Sequence, residues 1–411
     1  MTYRPPSASP SGTRTGGTAP AGGTGAAAPR TGATRAAPPR RRTLRDALLK
    51  SLRRAAPALA AYVGVRLVGL LVLRHWTSSL RMDMWPMLSE EWDSVWYARI
   101  ATEGYAHTLT RHSDLAFFPL FPMASRALHT LTPASVTGAA FGIAVVSSLA
   151  AAWGVFAVGD KLYGRRVGIL LAVLWAALPT ATVQWMGYTE SLFTALAAWS
   201  LYAVLTGRWV WAGSLAALCG LTRPTGAAVA GAVAVTGLLT LRRHFSGRVL
   251  AGTLLAPLGW LGYLAWVGVR LGRWDGYFAV QERWHNQWDG GAVTWHWLSE
   301  LFTVQPRPQL WLVVVASTLI VSTLLFLLSV ADRQPLPLLL FTGLLLLITL
   351  GSGGVFTPRA RFLMPGFPLL LPIALVLARA SRRYAVVTVG GAVACSAYWG
   401  AYLLIVWRGS P

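Results

Sequence analysis

The sequence predicts an all-α polytopic membrane protein, on three observations. Of 411 residues, 55% are hydrophobic and only 12% charged. Mean hydropathy is +0.51. Apolar runs near the roughly 17–25 residues needed to cross a bilayer recur from Pro57 to the C-terminus. Backbone polar groups in hydrocarbon must be satisfied within the chain, so such runs are helices.

Residues 1–39 are Ala, Gly, Pro, Ser and Thr with scattered Arg. They lack apolar periodicity, and a disordered cytoplasmic tail is expected. No short apolar core follows the start, as a secretory signal would require. A basic amphipathic juxtamembrane segment is expected over 40–56, with RRRTLRDALLKSLRR running from Arg40 to Arg54; it either meets anionic lipid or sets topology. The transmembrane domain is expected over 57–407. Its first span runs from Pro57 to Leu73, and a long polar segment, 76–133, follows. Further spans are expected at Ala134–Val158, Val167–Gln184 and Leu192–Leu205. From Trp209 to Leu241 the apolar residues exceed one helix, and LTRPTG interrupts them. The expectation there is two short helices turning at Arg223 and Pro224, because Pro disfavours helix at the residue before it. A span at Val249–Val269 precedes a second polar segment, 270–309. Four more follow: Leu310–Val330, Leu336–Leu350, Phe362–Leu377 and Ala385–Val406. The total is about eleven helices.

The net charge of +22 does not point to nucleic acid, because its placement follows the membrane. With the N-terminus inside, the compact basic loops GDKLYGRR, TGRW, LRRHFSGR, DRQ and ASRR all fall in the cytoplasm. Both long polar segments, the YTES corner, the LTRPTG turn and GSGGVFTPRAR fall on the opposite face. Cys219 and Cys395 both lie in apolar spans, without zinc spacing or a disulfide framework, and read as small buried hydrophobes. No P-loop, GxSxG elbow or dinucleotide fingerprint appears. No repeat relates the two halves, which disfavours a secondary transporter.

Acids and aromatics concentrate between Glu91 and Pro122. Asp93 stands in EWDSVWY beside Trp92, Trp96 and Tyr97. A partly desolvated carboxylate there is a better base; alternatively it caps a short interfacial helix. Glu190, in YTES, either complements the dipole of the helix it opens or faces the same site as Asp93. Arg223, Arg359 and Arg361 lie on the face that positive charge avoids, so each should have an anionic partner. That partner is a phosphate, which the guanidinium fork suits, or Glu190, Asp275 or Asp289. Arg66 lies mid-span and should face the bundle interior, towards a carboxylate or lipid phosphate. Glu282, His285 and Asp289 read as a solvated interface loop, with no metal-ligand spacing.

WDSVWYARIATEGY followed by AFFPLFP resembles the first luminal loop of the PIG-V family, the second mannosyltransferase of GPI-anchor assembly, and its actinobacterial relatives more closely. YTESLF, LTRPTG and RFLMPGFPLLLP match the family's order, so the resemblance covers roughly 57–407. It implies a GT-C glycosyltransferase fold with an extracytoplasmic site, a polyprenyl-phosphate-mannose donor and inverting transfer. Asp93 takes the place of the family's loop acid as general base, with Glu190 a second catalytic acid. Trp92, Glu103, Tyr105, Phe117, Phe118 and Tyr188 are implied substrate contacts. Arg223, Arg359 or Arg361 would hold the lipid phosphate. No cofactor is implied, and a divalent metal is left open. The acceptor, a lipid, glycan or protein, does not carry over from the eukaryotic members. The other readings are transfer of a different sugar, such as arabinofuranose, or transport of the lipid-linked sugar.

Overall fold

The computed structural model describes residues 44–106, 112–407 and 409–410. The tail expected over 1–39, and the start of the basic segment, lie outside the described residues. The chain divides into Met1–Ala47 and Leu48–Pro411. Of the first unit, only 44–47 are described, as helix; all other described residues belong to the second.

Eighteen α-helices and no strand appear among the described residues. The first, α1 (Leu44–Leu80), runs unbroken through Pro57. Its 37 residues span about 55 Å at 1.5 Å per residue. The first long polar segment is itself helical: α2 (Met84–Ser89), α3 (Asp93–Glu103), a 3₁₀ turn at Asp114–Ala116 and α4 (Leu120–Leu131). Asp83 caps α2 by accepting from the Trp85 amide. Next come α5 (Val136–Tyr163) and α6 (Arg165–Ala176), an antiparallel pair. Gly164, at φ +88°, makes their turn, a conformation glycine adopts without a Cβ penalty. Gly159 and Gly168 let the pair close, since a Cβ on Gly159 would stand 2.8 Å from the Gly168 Cα. Such small-residue contacts are how membrane helices approach closely.

The span expected to reach Gln184 stops at Ala176; after Pro179 the chain turns through a 3₁₀ segment at Ala181–Trp185. It then re-enters as α7 (Glu190–Leu205). The predicted hairpin is present as α8 (Trp209–Gly220) and α9 (Gly226–Arg243). The span expected at Val249–Val269 is two pieces, α10 (Gly247–Leu255) and α11 (Leu258–Leu271), parted at Pro257, which cannot donate into the helical ladder. The second polar segment holds α12 (Gly276–Arg283) and α13 (Ala292–Ser299). Two apolar helices follow, α14 (Leu310–Ala331) and α15 (Leu336–Gly351). The helix expected at Phe362–Leu377 is broken by Pro365, Gly366 and Pro368. It becomes α16 (Arg359–Phe362), a 3₁₀ turn at Phe367–Leu370 and α17 (Leu371–Arg379), before α18 (Arg382–Ile405).

Five helices among the described residues are long and apolar enough to cross a membrane, and four shorter apolar ones accompany them. Their outward residues, such as Leu71 (65% exposed) and Val269 (84%), are apolar, as a lipid-facing surface requires. The main core gathers Tyr62, Trp175, Phe193, Trp311, Phe341 and Phe367. A second cluster, Leu115, Phe118, Tyr263 and Tyr277, clamps the first polar segment against α11 and α12. Cys219 is buried, as expected, whereas Cys395 is exposed on α18.

Candidate active site

Three turns and one short helix converge on a buried charge cluster. Asp93 is the first residue of α3, and Trp92 before it has φ +52°. That left-handed backbone is uncommon for a bulky residue and is sustained only by its surroundings. Two backbone hydrogen bonds tie the first polar segment to the turns opposite. The Gly187 amide donates to the Leu88 carbonyl at 2.9 Å, and the Leu120 amide to the Leu221 carbonyl at 2.9 Å. The first brings the turn before Glu190 to α3; the second brings the α8–α9 turn, with Arg223, to the start of α4.

Arg361, from α16, completes the cluster. Its Nη2 lies 2.8 Å from Asp93 Oδ2, and its Nε lies 3.2 Å from Glu190 Oε1. Arg223 Nη1 reaches the same Glu190 oxygen at 2.5 Å. Side-chain exposure is 1% for Glu190, 3% for Arg361 and 9% for Arg223, but 26% for Asp93. The Asp93 carboxylate is therefore the open edge of an otherwise buried set. Two carboxylates face two guanidiniums, so the cluster is neutral as it stands. Arg361 Nη1 is buried without a hydrogen-bond partner. The guanidinium of Arg361 lies over the Tyr188 ring at 4.9 Å, and the Phe362 ring is 5.5 Å from both Arg361 and Arg223. Beside them the Tyr97 hydroxyl meets Thr189 Oγ1 at 3.3 Å.

Asp93, Glu190, Arg223, Arg361 and Tyr188 thus come together. The remaining sequence candidates do not join them directly. Arg359 is 1% exposed and donates to Thr294 Oγ1 and the carbonyls of Ser352 and Gly354. It staples the loop after α15 to α13. Glu103 is exposed and pairs with Arg99 one turn back on α3. Tyr105 donates its hydroxyl to the Phe117 carbonyl at 2.8 Å, and burial pushes that hydroxyl well above its ordinary pKa. Phe118 is 1% exposed, packed on Tyr263 and Tyr277. Phe117 stacks on Trp96, with Tyr97 and Trp284 at its edges. Trp92 is half-buried against the main core.

The other charges resolve locally. Asp275 pairs with Arg273, which holds its carboxyl below the usual range. Asp289 accepts from the amides of Gly291 and Val293 at the start of α13. Arg66 faces the interior, but its partners are the Ala176 and Ala181 carbonyls and Ser396, not a carboxylate. Among the described residues no three His, Cys, Asp or Glu side chains gather as metal ligands. Sequence reasoning did not single out Thr189 or Phe362, although both lie inside matched motifs, YTES and RFLMPGFP.

Solved structures share the fold of this chain. The archaeal oligosaccharyltransferase AglB from Archaeoglobus fulgidus, in complex with an inhibitory peptide and a dolichol-phosphate, superposes with a TM-score of 0.51 at 14% identity, over 86% of this chain and 56% of that one. ArnT from Cupriavidus metallidurans bound to undecaprenyl phosphate gives 0.51 at 14%, over 81% and 63%. The fold is of the GT-C type. This chain spans a little over half the length of these proteins. No family model and no curated protein sequence matches it.

Proposed function

We propose that the chain is a membrane glycosyltransferase that takes its sugar from a polyprenyl-phosphate carrier. Within that class we assign it as a mannosyltransferase of the PIG-V type, with its N-terminus cytoplasmic and its site extracytoplasmic. The observation that carries the reading is the shared guanidinium: Arg361 sits between Asp93 and Glu190 with Nη1 unbonded. Transfer from a lipid phosphate needs a base for the acceptor's proton and cations for the departing phosphate. Asp93 supplies the first, Arg361 and Arg223 the second. The dolichol-phosphate and undecaprenyl phosphate bound to the solved neighbours support a donor of that class. Mannose rests on the sequence motifs.

In this scheme the donor phosphate competes with Asp93 for Arg361. A guanidinium turned towards phosphate releases the Asp93 carboxylate to the acceptor. The acceptor hydroxyl attacks the anomeric carbon from the face opposite the phosphate, and its proton passes to Asp93. The bond from the anomeric carbon to the phosphate oxygen breaks, its electron pair leaving with the polyprenyl phosphate, and configuration inverts. Glu190 contacts both arginines and holds them in place, a positioning role.

The test is transfer of labelled mannose from its polyprenyl-phosphate carrier in membrane vesicles containing native lipids, glycans and proteins. Wild type should form product, and Asp93→Asn should lose about 10²–10⁴-fold. Equal turnover by the variant removes Asp93 from the chemistry. Product only with the arabinose carrier reassigns the sugar. Carrier crossing the bilayer without transfer replaces the enzyme with a flippase.

A further inference from the structure

At the far ends of α1, α6 and α18 lies a second feature that transfer chemistry does not use. α6 leads from Arg165 towards the segment preceding Glu190, so this end is about 18 Å away along that helix alone. An open groove of about 830 Å³ runs there, with Ile169, Val389 and Gly390 among its apolar walls and Arg165, Arg166 and Arg382 at its rim. All three arginines are exposed. No ion pair among the described residues involves any of them. The nearby acid, Asp160, is engaged by Arg54 at 2.6 and 2.7 Å. Arg165 opens α6 and Arg382 opens α18. Cations at helix N-termini face the positive end of the dipole, the reverse of the favourable placement, and an anion between them relieves both.

The groove itself argues for more than a loose charge. Gly390 lies on its wall, and apart from its chain neighbours and its own helix backbone nothing stands within 4 Å of where its Cβ would be. The wall is therefore open along an outward face, beside Val386 (62% exposed) and Val387 (74%). Apolar walls below a basic rim fit a molecule with hydrocarbon at one end and phosphate at the other. Basic pockets between membrane helices bind phosphate headgroups in this way.

We propose that this groove binds an anionic phospholipid, its phosphate held by Arg165, Arg166 and Arg382 and an acyl chain lying along Gly390 and Val389. The site does not depend on the transfer reaction. Arg166 also donates to the Ala380 carbonyl at 2.9 Å, which fixes the rim, so the tests leave it in place.

Full-length protein in a zwitterionic detergent, titrated with phosphatidylglycerol or with phosphatidylcholine of the same acyl chains, provides the test by native mass spectrometry. Wild type should prefer phosphatidylglycerol by about tenfold or more. Arg165→Gln with Arg382→Gln should cut that preference severalfold, leaving only what Arg166 supplies, and the variant should still fold, because neither side chain takes part in an ion pair. Gly390→Leu should weaken the binding of both lipids, since its side chain fills the groove. A control pair, Arg242→Gln with Arg243→Gln at the end of α9, should change nothing. Equal affinity for the two lipids overturns the proposal, as does equal loss in the control pair, which would reduce the effect to surface charge. Full displacement of the lipid by inorganic phosphate alone also overturns it, because a bare anion gains nothing from the apolar walls.

Discussion

Arg359 and Arg361 stand two residues apart on one helical turn, both at most 3% exposed, and have opposite surroundings. Arg361 meets two carboxylates and keeps Nη1 unbonded. Arg359 meets a hydroxyl and two carbonyls. Residues i and i+2 lie roughly 200° apart around a helix, so the turn sends one guanidinium into the charge cluster and the other towards α13. A buried arginine satisfied by carbonyls is a structural brace. One held by carboxylates can exchange them for a ligand's oxygens. Exposure alone does not separate the two; the partners do.

The sharpest break of this comparison is in turnover. Arg361→Gln should lower transfer about 10²–10³-fold, the usual cost of removing one donor from a developing anion. Arg359→Gln should leave turnover per folded molecule nearly unchanged. Comparable losses of specific activity in the two variants would dissolve the distinction.

Stability separates them in another way. Glu190→Gln leaves Arg223 and Arg361 without their shared counter-charge, and breaking such a buried pair costs about 3–5 kcal/mol. A detergent melting curve that does not move would show that solvent already screens the cluster. Arg359→Gln should cost about 1–3 kcal/mol, for charged hydrogen bonds lost to the loop over 352–354; hydrogen exchange should rise there and in α13 while α3 stays protected.

The smallest effect is expected at Glu103. It is exposed and paired only with Arg99, so Glu103→Ala should cost at most about 0.5 kcal/mol. A large rise in KM for the acceptor in that variant would identify Glu103 as a substrate contact, as the motif implies.

Much of this was legible in the chain. Hydropathy and proline placement yield the membrane class and the α8–α9 hairpin, because a bilayer forces local backbone pairing and leaves a strong local signal. Charge scarcity yields the cluster's members, because a buried ion among aromatics persists only with a partner. The broken tenth span was readable from Pro365 and Pro368, but overall hydrophobicity masked it. A motif does not state a side chain's packing: Tyr105 and Phe118 both sit in matched segments, and the structure shows one donating to a carbonyl and the other packed in a cluster core.

The sequence alone determined the all-α membrane class, the approximate positions of most apolar helices and the scarce charges from which the cluster is drawn, since these follow from local composition. Only the tertiary structure decided that Arg361, not Arg359, joins Asp93 to Glu190. That choice depends on the rotation of a four-residue helix and on contacts between residues separated by hundreds of positions, which no local pattern encodes.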